Sequence, residues 1–259
     1  MRRVLFEFKV PFDFFIGIDS VKIYSYPTFI LIGFLLFSQI VKYYERKNNI
    51  KFLTVNYVFI VFVSSLIGGK LFYLFENFTQ NFENLSSKNI TKGFVFYGAF
   101  IFSLISSIVY FKIKKISILK ALDILAIGLP LLHGFSRIGC FMAGCCYGSE
   151  TYSRLGVIFP KTYPVKVHPT QLYEASFLFC LFFILLKCYN LKKENGQIFL
   201  MYLTSYSVFR FFIEKIRGNN VGFLTDLNLT HSQLIAIFIF VFVLFYTFFY
   251  SKCFLKNKF

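Results

Sequence analysis

Two arginines of this chain stand in apolar surroundings. Arg137 lies in the run His133-Gly134-Phe135-Ser136-Arg137-Ile138-Gly139-Cys140-Phe141-Met142-Ala143-Gly144-Cys145-Cys146-Tyr147-Gly148, a polar stretch wedged between apolar segments. Arg210 lies near the end of another such segment, in Tyr206-Ser207-Val208-Phe209-Arg210-Phe211-Phe212-Ile213-Glu214. A charge at the centre of a membrane span costs about 2.5–3.5 kcal/mol on insertion scales, so an embedded arginine is a functional candidate by default. At about 100° per residue, Tyr206, Arg210, Glu214 and Arg217 share one narrow helical arc. Arg210 and Glu214 are four apart and can pair. The same pattern also suits an interfacial ion pair that ends a span, with arginine snorkelling.

Asp123, Pro130, His133 and Arg137 fall within about 80° of one another if one helix continues through a kink at Pro130. Asp123 reads either as an orienting group acting through the bundle or as a buried, hydrogen-bonded carboxyl. His133 reads as a structural donor or as a base. Gln171 and Glu174, three apart, sit where a helix started by Pro169 enters lipid, and they need internal partners. Cys140, Cys145, Cys146 and His133 offer metal-ligand atoms. The spacing C-x4-C-C is not a usual zinc pattern and no second CxxC pair exists, so neither a metal nor a cofactor is expected. Cys180, Cys188 and Cys253 lie in or beside apolar runs and read as small core hydrophobes.

The elements that position these residues are membrane helices. The chain has 259 residues, 57% hydrophobic and only 15% charged. Soluble domains carry about 25% charged residues, so the balance points to an integral membrane protein. Seven apolar segments are long enough to cross: 23–41, 52–75, 93–111, 119–135, 170–186, 197–212 and 233–250. Backbone polar groups must be satisfied inside lipid, so all seven are expected as helices of one domain covering 1–259. Small residues at Gly93, Gly98 and Ala99 allow close approach of another backbone or a lipid group. Met1-Arg2-Arg3-Val4-Leu5 begins like a signal peptide. Glu7, Lys9 and Asp13 then interrupt it and no small-residue cleavage site follows, which predicts an uncleaved N-terminal arm.

The net charge of +16 lies largely in short connections. Lys42, Arg46, Lys47 and Lys51 follow the first segment, Lys112, Lys114 and Lys115 the third, Lys187, Lys192 and Lys193 the fifth, and Lys252, Lys256 and Lys258 the seventh. Under the positive-inside rule these connections face the cytoplasm, which places the N-terminus outside and the C-terminus inside. With no soluble domain to present a basic face, nucleic acid is excluded as a partner.

Together these motifs resemble, in order and over nearly the whole chain, the bacterial prolipoprotein diacylglyceryl transferase family. Tyr26 followed by Gly33-Phe34 resembles its first-span tyrosine segment. Gly68-Gly69-Lys70-Leu71-Phe72-Tyr73-Leu74-Phe75 resembles its second-span glycine motif, and Gly93 to Ala99 its third-span motif. Ala121-Leu122-Asp123 through Gly148 resembles the signature segment, with Arg137 on the signature arginine. Leu155-Gly156-Val157-Ile158-Phe159-Pro160 and His168-Pro169-Thr170-Gln171-Leu172-Tyr173-Glu174 resemble the loop and fifth span, and Arg210 and Glu214 the sixth-span pair.

The resemblance implies an all-α, seven-helix enzyme of the bacterial cytoplasmic (inner) membrane. It implies transfer of diacylglyceryl from phosphatidylglycerol to the lipobox cysteine thiol of a preprolipoprotein signal peptide, the first step of lipoprotein maturation. Breaking that carbon–oxygen bond leaves negative charge on a phosphate, and arginine suits it by geometry and permanent charge. Arg137 is then expected on the phosphoryl group, with Arg210 as a second clamp held by Glu214. Tyr26, His168, Gln171, Tyr206 and Glu214 are expected, with Arg137, to bind substrate.

This chain departs from the family pattern at four places. Tyr97 stands where His is frequent, Cys140 where Asn is, Cys145 where Glu is, and Lys70 where Arg is common. The attacking sulfur must lose its proton. Tyr97, with an unperturbed pKa of about 10, is expected as a hydrogen-bond donor or as a base lowered by an arginine. Cys140 and Cys145 read as small replacements. Two other readings stay open: a same-fold relative with altered donor, acceptor or no catalysis, and a transporter, which the lack of an evident internal repeat weakens.

Overall fold

The computed structural model describes residues 4–9, 20–80, 95–160, 162–217, 222–224 and 229–256. Seven α-helices run through the described residues: α1 (Ser25–Lys47), α2 (Val55–Gln80), α3 (Phe96–Ile113), α4 (Ile118–Ala143), α5 (Thr170–Leu191), α6 (Gln197–Glu214) and α7 (His231–Lys256). Short antiparallel ribbons decorate them: β1 (Val4–Lys9) with β2 (Ser20–Tyr24), β3 (Val157–Phe159) with β4 (Tyr163–Val167), and β5 (Gly222–Leu224) with β6 (Leu229–Thr230). Part of the expected N-terminal arm is thus the strand β1, and the rest of it lies outside the described residues.

Four helices, α1, α2 (over Val55–Phe75), α4 and α5, are long and apolar enough to cross a membrane. The second makes the argument most directly. Its apolar window is only 11% buried within the protein, and Phe59, Phe62 and Leu66 are exposed. Such a surface is stable against lipid rather than water. Shorter apolar stretches, Gly98–Ile113 and Ser232–Thr247, lie within α3 and α7.

The chain divides into two compact units, residues 41–122 and residues 1–40 with 123–259. In the first, α2 packs on α3 through small and polar residues. A Cβ added at Gly98 would meet the Gly68 carbonyl oxygen and the Phe72 side chain. Only glycine permits that approach, as expected of a membrane helix pair. Tyr57 and Ser107 share a hydrogen bond of 3.0 Å, and Ser64 and Ser106 one of 2.8 Å. Glu45 stands near the end of α1. Its Oε1 accepts the Leu53 N–H at 2.6 Å and the Phe52 N–H, which fixes the turn toward α2.

In the second unit, Asp123 is fully buried. Its Oδ2 accepts Lys192 Nζ at 2.7 Å and the Gly196 N–H at 2.8 Å, and its Oδ1 accepts the Phe199 N–H at 3.0 Å. Of the two sequence readings, the hydrogen-bonded carboxyl is the one observed. The anion sits at the N-terminus of α6, where the helix dipole favours it.

Two expectations are revised. The fourth segment does not end at Phe135: α4 runs through Pro130, past Arg137, to Ala143. Packing overrides local propensity here. Gly139 fits against α1, where an added Cβ would lie 3.2 Å from the Tyr26 ring. Nor are the later cysteines core residues. Cys180 is exposed and Cys188 half-buried on α5, whose buried face is filled by Leu178, Leu181, Phe182 and Leu185 instead. The Cys253 side chain lies outside the described residues.

Candidate active site

Glu174 is the centre of the site. It lies in the first turns of α5, its residue 2% exposed. A buried carboxylate without partners is prohibitive, and four side chains meet it. Arg137 Nε of α4 lies 3.0 Å from Oε1, and His133 Nε2, one turn earlier, lies 3.4 Å from it. Tyr206 of α6 donates its hydroxyl to Oε1 at 2.8 Å. Arg210 Nη1 lies 4.0 Å from Oε2. The rings of Phe177 and Phe209 stack 4.1 Å apart and set α5 against α6 at this level.

A second carboxylate extends the cluster. Arg210 Nη2 lies 2.7 Å from Glu214 Oε2 and donates to Ser232 Oγ at 3.2 Å. Arg217 Nη1 lies 4.0 Å from Glu214 Oε2. Three arginines therefore face two glutamates, one positive charge in excess. The pairing is also incomplete. Arg137 Nε and Arg210 Nη1 are buried without a directed hydrogen bond among the described residues. Unsatisfied buried donors with surplus positive charge suit an oxyanion.

The loop after α4 ties the site together. Gly148 N–H donates to the His168 carbonyl at 2.8 Å, and Ser149 N–H to the Ile216 carbonyl at 2.7 Å. One loop thus fastens the start of α5 and the end of α6. Gln171 is buried and donates Nε2 to the Cys145 carbonyl, while its Oε1 has no described partner. Tyr147 stacks on buried Phe159 at 5.4 Å, which seats the β3–β4 ribbon on this loop. The Cys146 thiol is held below the ordinary thiol range, first by hydrogen bonds from Cys140 and Cys145 and then by the Arg217 and Arg137 guanidinium groups.

Of the residues singled out in the sequence, Arg137, Tyr206, Arg210 and Glu214 converge here. Tyr26 stands against Gly139, two residues beyond Arg137. His168 is in the tethering loop, and its ring nitrogen lies 3.4 Å from the Tyr173 hydroxyl rather than in the cluster. Tyr97 is on α3, and its side chain lies outside the described residues. Sequence reasoning left Glu174 without its central position and did not single out Ser232. A glutamate at the lipid entry of a helix was the available signal for the first.

A family model described as prolipoprotein diacylglyceryl transferase matches residues 13–249. The chain is similar to the phosphatidylglycerol–prolipoprotein diacylglyceryl transferase of Clostridium tetani, at 34% identity over 246 residues, covering 92% of this chain and 93% of that protein. It is 34% identical over 234 residues to phosphatidylglycerol–prolipoprotein diacylglyceryl transferase 2 of Clostridium perfringens, covering 86% and 90%. Against the Rickettsia bellii protein of the same description the identity is 33% over 246 residues, covering 87% and 89%.

Proposed function

Because the chain belongs to the prolipoprotein diacylglyceryl transferase family, we propose that it transfers diacylglyceryl from phosphatidylglycerol to the lipobox cysteine thiol of a preprolipoprotein, at the arginine cluster around Glu174. It is a membrane transferase of lipoprotein biosynthesis. The observation that carries the assignment of the site is the pair of buried, hydrogen-bond-deficient nitrogens, Arg137 Nε and Arg210 Nη1. Two guanidinium groups beside one carboxylate, with positive charge in excess, match a phosphodiester.

The substrate sulfur attacks the glyceryl carbon. A sulfur–carbon bond forms, the carbon–oxygen bond to phosphate breaks, and its electron pair stays on the phosphate oxygen. Glycerol phosphate leaves. Arg137 and Arg210 stabilise that charge, an effect amplified by exclusion of water. Glu174 and Glu214 hold the arginines in position before the lipid arrives, and Tyr206 orients Glu174. Tyr26, His168 and Gln171 bind substrate around this centre, and Tyr97 serves as hydrogen-bond donor or base. All seven helices span the inner membrane, N-terminus outside and C-terminus in the cytoplasm, as the lysine-rich connections favour.

The test is a transfer assay with purified protein, phosphatidylglycerol vesicles and a lipobox peptide followed by mass. A gain of one diacylglyceryl group with release of glycerol phosphate is expected. No gain, while a known transferase is active in parallel, overturns the reading and favours a same-fold relative with other chemistry.

A further inference from the structure

Three thiols gather where the sequence spacing gave no reason to expect it. Cys140 is buried on the last turn of α4, and Cys145 and Cys146 follow just past its end. Their three sulfur atoms lie within 4.8 Å of one another. The backbone makes this happen. Gly144 N–H donates to the Phe141 carbonyl and Cys145 N–H to the Cys140 carbonyl, both at 3.1 Å, so the chain doubles back at the helix end. Gly144 and Cys146 have φ of 72° and 61°. A left-handed conformation costs a non-glycine residue about 1–2 kcal/mol, so Cys146 keeps it only where other contacts enforce it. Those contacts are present. The Cys145 carbonyl accepts Gln171 Nε2, and the Cys146 carbonyl accepts Thr170 Oγ1 at 3.0 Å, from two buried side chains of α5.

We propose that Cys140, Cys145 and Cys146 bind one thiophilic d10 metal ion of the zinc(II) class, with a fourth coordination position open to the substrate thiol. A zinc–sulfur bond of about 2.3 Å places tetrahedral sulfurs about 3.8 Å apart. The observed triangle is already near that size. Three protein ligands and one open position are the arrangement of catalytic rather than structural zinc. Three thiolates and one zinc(II) carry one negative charge. Arg137 precedes Cys140 by one helical turn and, with Arg217, places positive charge beside Cys146, which compensates it.

The role of this ion rests on the transferase reading. The three cysteines bind as thiolates, and whatever protons they still carry pass to solvent. The lipobox thiol enters as fourth ligand and loses its own proton to solvent, so it is a thiolate at neutral pH. Its lone pair then forms the bond to the glyceryl carbon, and the carbon–oxygen bond electrons pass to the phosphate. No oxidant or reductant is consumed. The thioether product is a poor ligand and departs. Three residues of helix, about 4.5 Å along the axis, separate the sulfur-activating end of the site from Arg137 on the phosphate.

The test uses the full chain in detergent, reduced and stripped with chelator under anaerobic buffer. Zinc(II) is titrated against a chromophoric chelator, and cobalt(II) serves as a spectroscopic substitute. One metal per chain and a thiolate-to-cobalt charge-transfer band are expected. Cys140→Ser, Cys145→Ser and Cys146→Ser should each weaken binding at least about tenfold, while the Cys180→Ser/Cys188→Ser double variant binds as wild type. Adding a lipobox peptide should shift the cobalt spectrum, and its Cys→Ser analogue should not. A wild-type protein with no such band overturns the metal site without relying on any variant. A band that the peptide thiol leaves unchanged overturns the open position. Neither readout requires lipid transfer, so failure of the transferase reading is scored separately by the peptide-mass assay.

Discussion

Arg137 Nε lies 3.0 Å from Glu174 Oε1, so a guanidinium from α4 and a carboxylate from α5 form one buried pair. Removing one partner of such a pair leaves the other charge unbalanced. Glu174→Gln leaves Arg137 and Arg210 facing each other without their shared anion. A loss of about 3–5 kcal/mol in stability is expected, read as a lower melting temperature in detergent. Arg137→Lys keeps the charge and the fold but loses the planar fork. Its kcat/KM in the peptide-mass assay should fall about 10²–10³-fold. Wild-type transfer by this variant would remove Arg137 from the phosphate.

Tyr206 separates positioning from clamping. Its hydroxyl touches Glu174 at 2.8 Å and its ring lies 4.9 Å from that of His133. Tyr206→Phe removes one hydrogen bond, worth about 0.5–1.5 kcal/mol. Transfer should slow about tenfold while phosphatidylglycerol binding, measured by retention of labelled lipid, changes little. A loss of lipid binding as large as that of rate would make Tyr206 a direct ligand instead.

Much of this architecture was legible in the sequence, for reasons that differ by residue. Helix positions follow from apolar runs, and the Arg210–Glu214 pair follows from one helical turn. The Arg137–Glu174 pair joins two helices, so no local spacing encodes it. Asp123 was legible as a buried carboxyl but not as the partner of Lys192, for the same reason. The convergence of Cys140, Cys145 and Cys146 depends on a left-handed φ at Cys146 and on clamps from Thr170 and Gln171. None of these is visible in C-x4-C-C. The extension of α4 beyond Phe135 was missed because glycine-rich sequence reads as loop until a neighbour such as Tyr26 packs against it.

Asp123 provides a control for the catalytic cluster. It holds Lys192 and two backbone N–H groups at the start of α6, well removed in role from the arginines. Asp123→Asn should cost about 3–5 kcal/mol by leaving Lys192 without its counter-ion. The fraction that folds should keep a wild-type KM in the transfer assay. A KM raised without any loss of thermal stability would make Asp123 part of the substrate site.

The α2–α3 contact tests packing in the other unit. Any side chain at Gly98 must displace the Gly68 backbone or Phe72. Gly98→Val should therefore destabilise by about 1–3 kcal/mol, the usual range for overpacking, and lower the yield of folded protein on size-exclusion chromatography. Gly98→Ala should fall between it and wild type. Equal stability for all three would mean that the helices separate at no cost and that the contact is unimportant.

Cys146 carries the clearest pH signature. Its thiol is held below the ordinary range, mainly by hydrogen bonds from Cys140 and Cys145, with help from Arg217 and Arg137. A depressed value means that more thiolate is present at neutral pH than in an ordinary thiol, and that it is lost as pH falls through that lowered value. An ordinary thiol near about 8.5 instead gains thiolate about tenfold per pH unit through neutrality. In reduced, metal-free protein, the iodoacetamide reaction of Cys146 should change less between about pH 6 and 8 than that of a free cysteine peptide measured in parallel. Peptide mapping by mass resolves the sites. Arg217→Met should restore part of the slope at Cys146, because it removes positive charge and leaves the neighbouring thiols in place. A steep wild-type slope at Cys146 would show that the hydrogen bonds of the triad do not favour its thiolate.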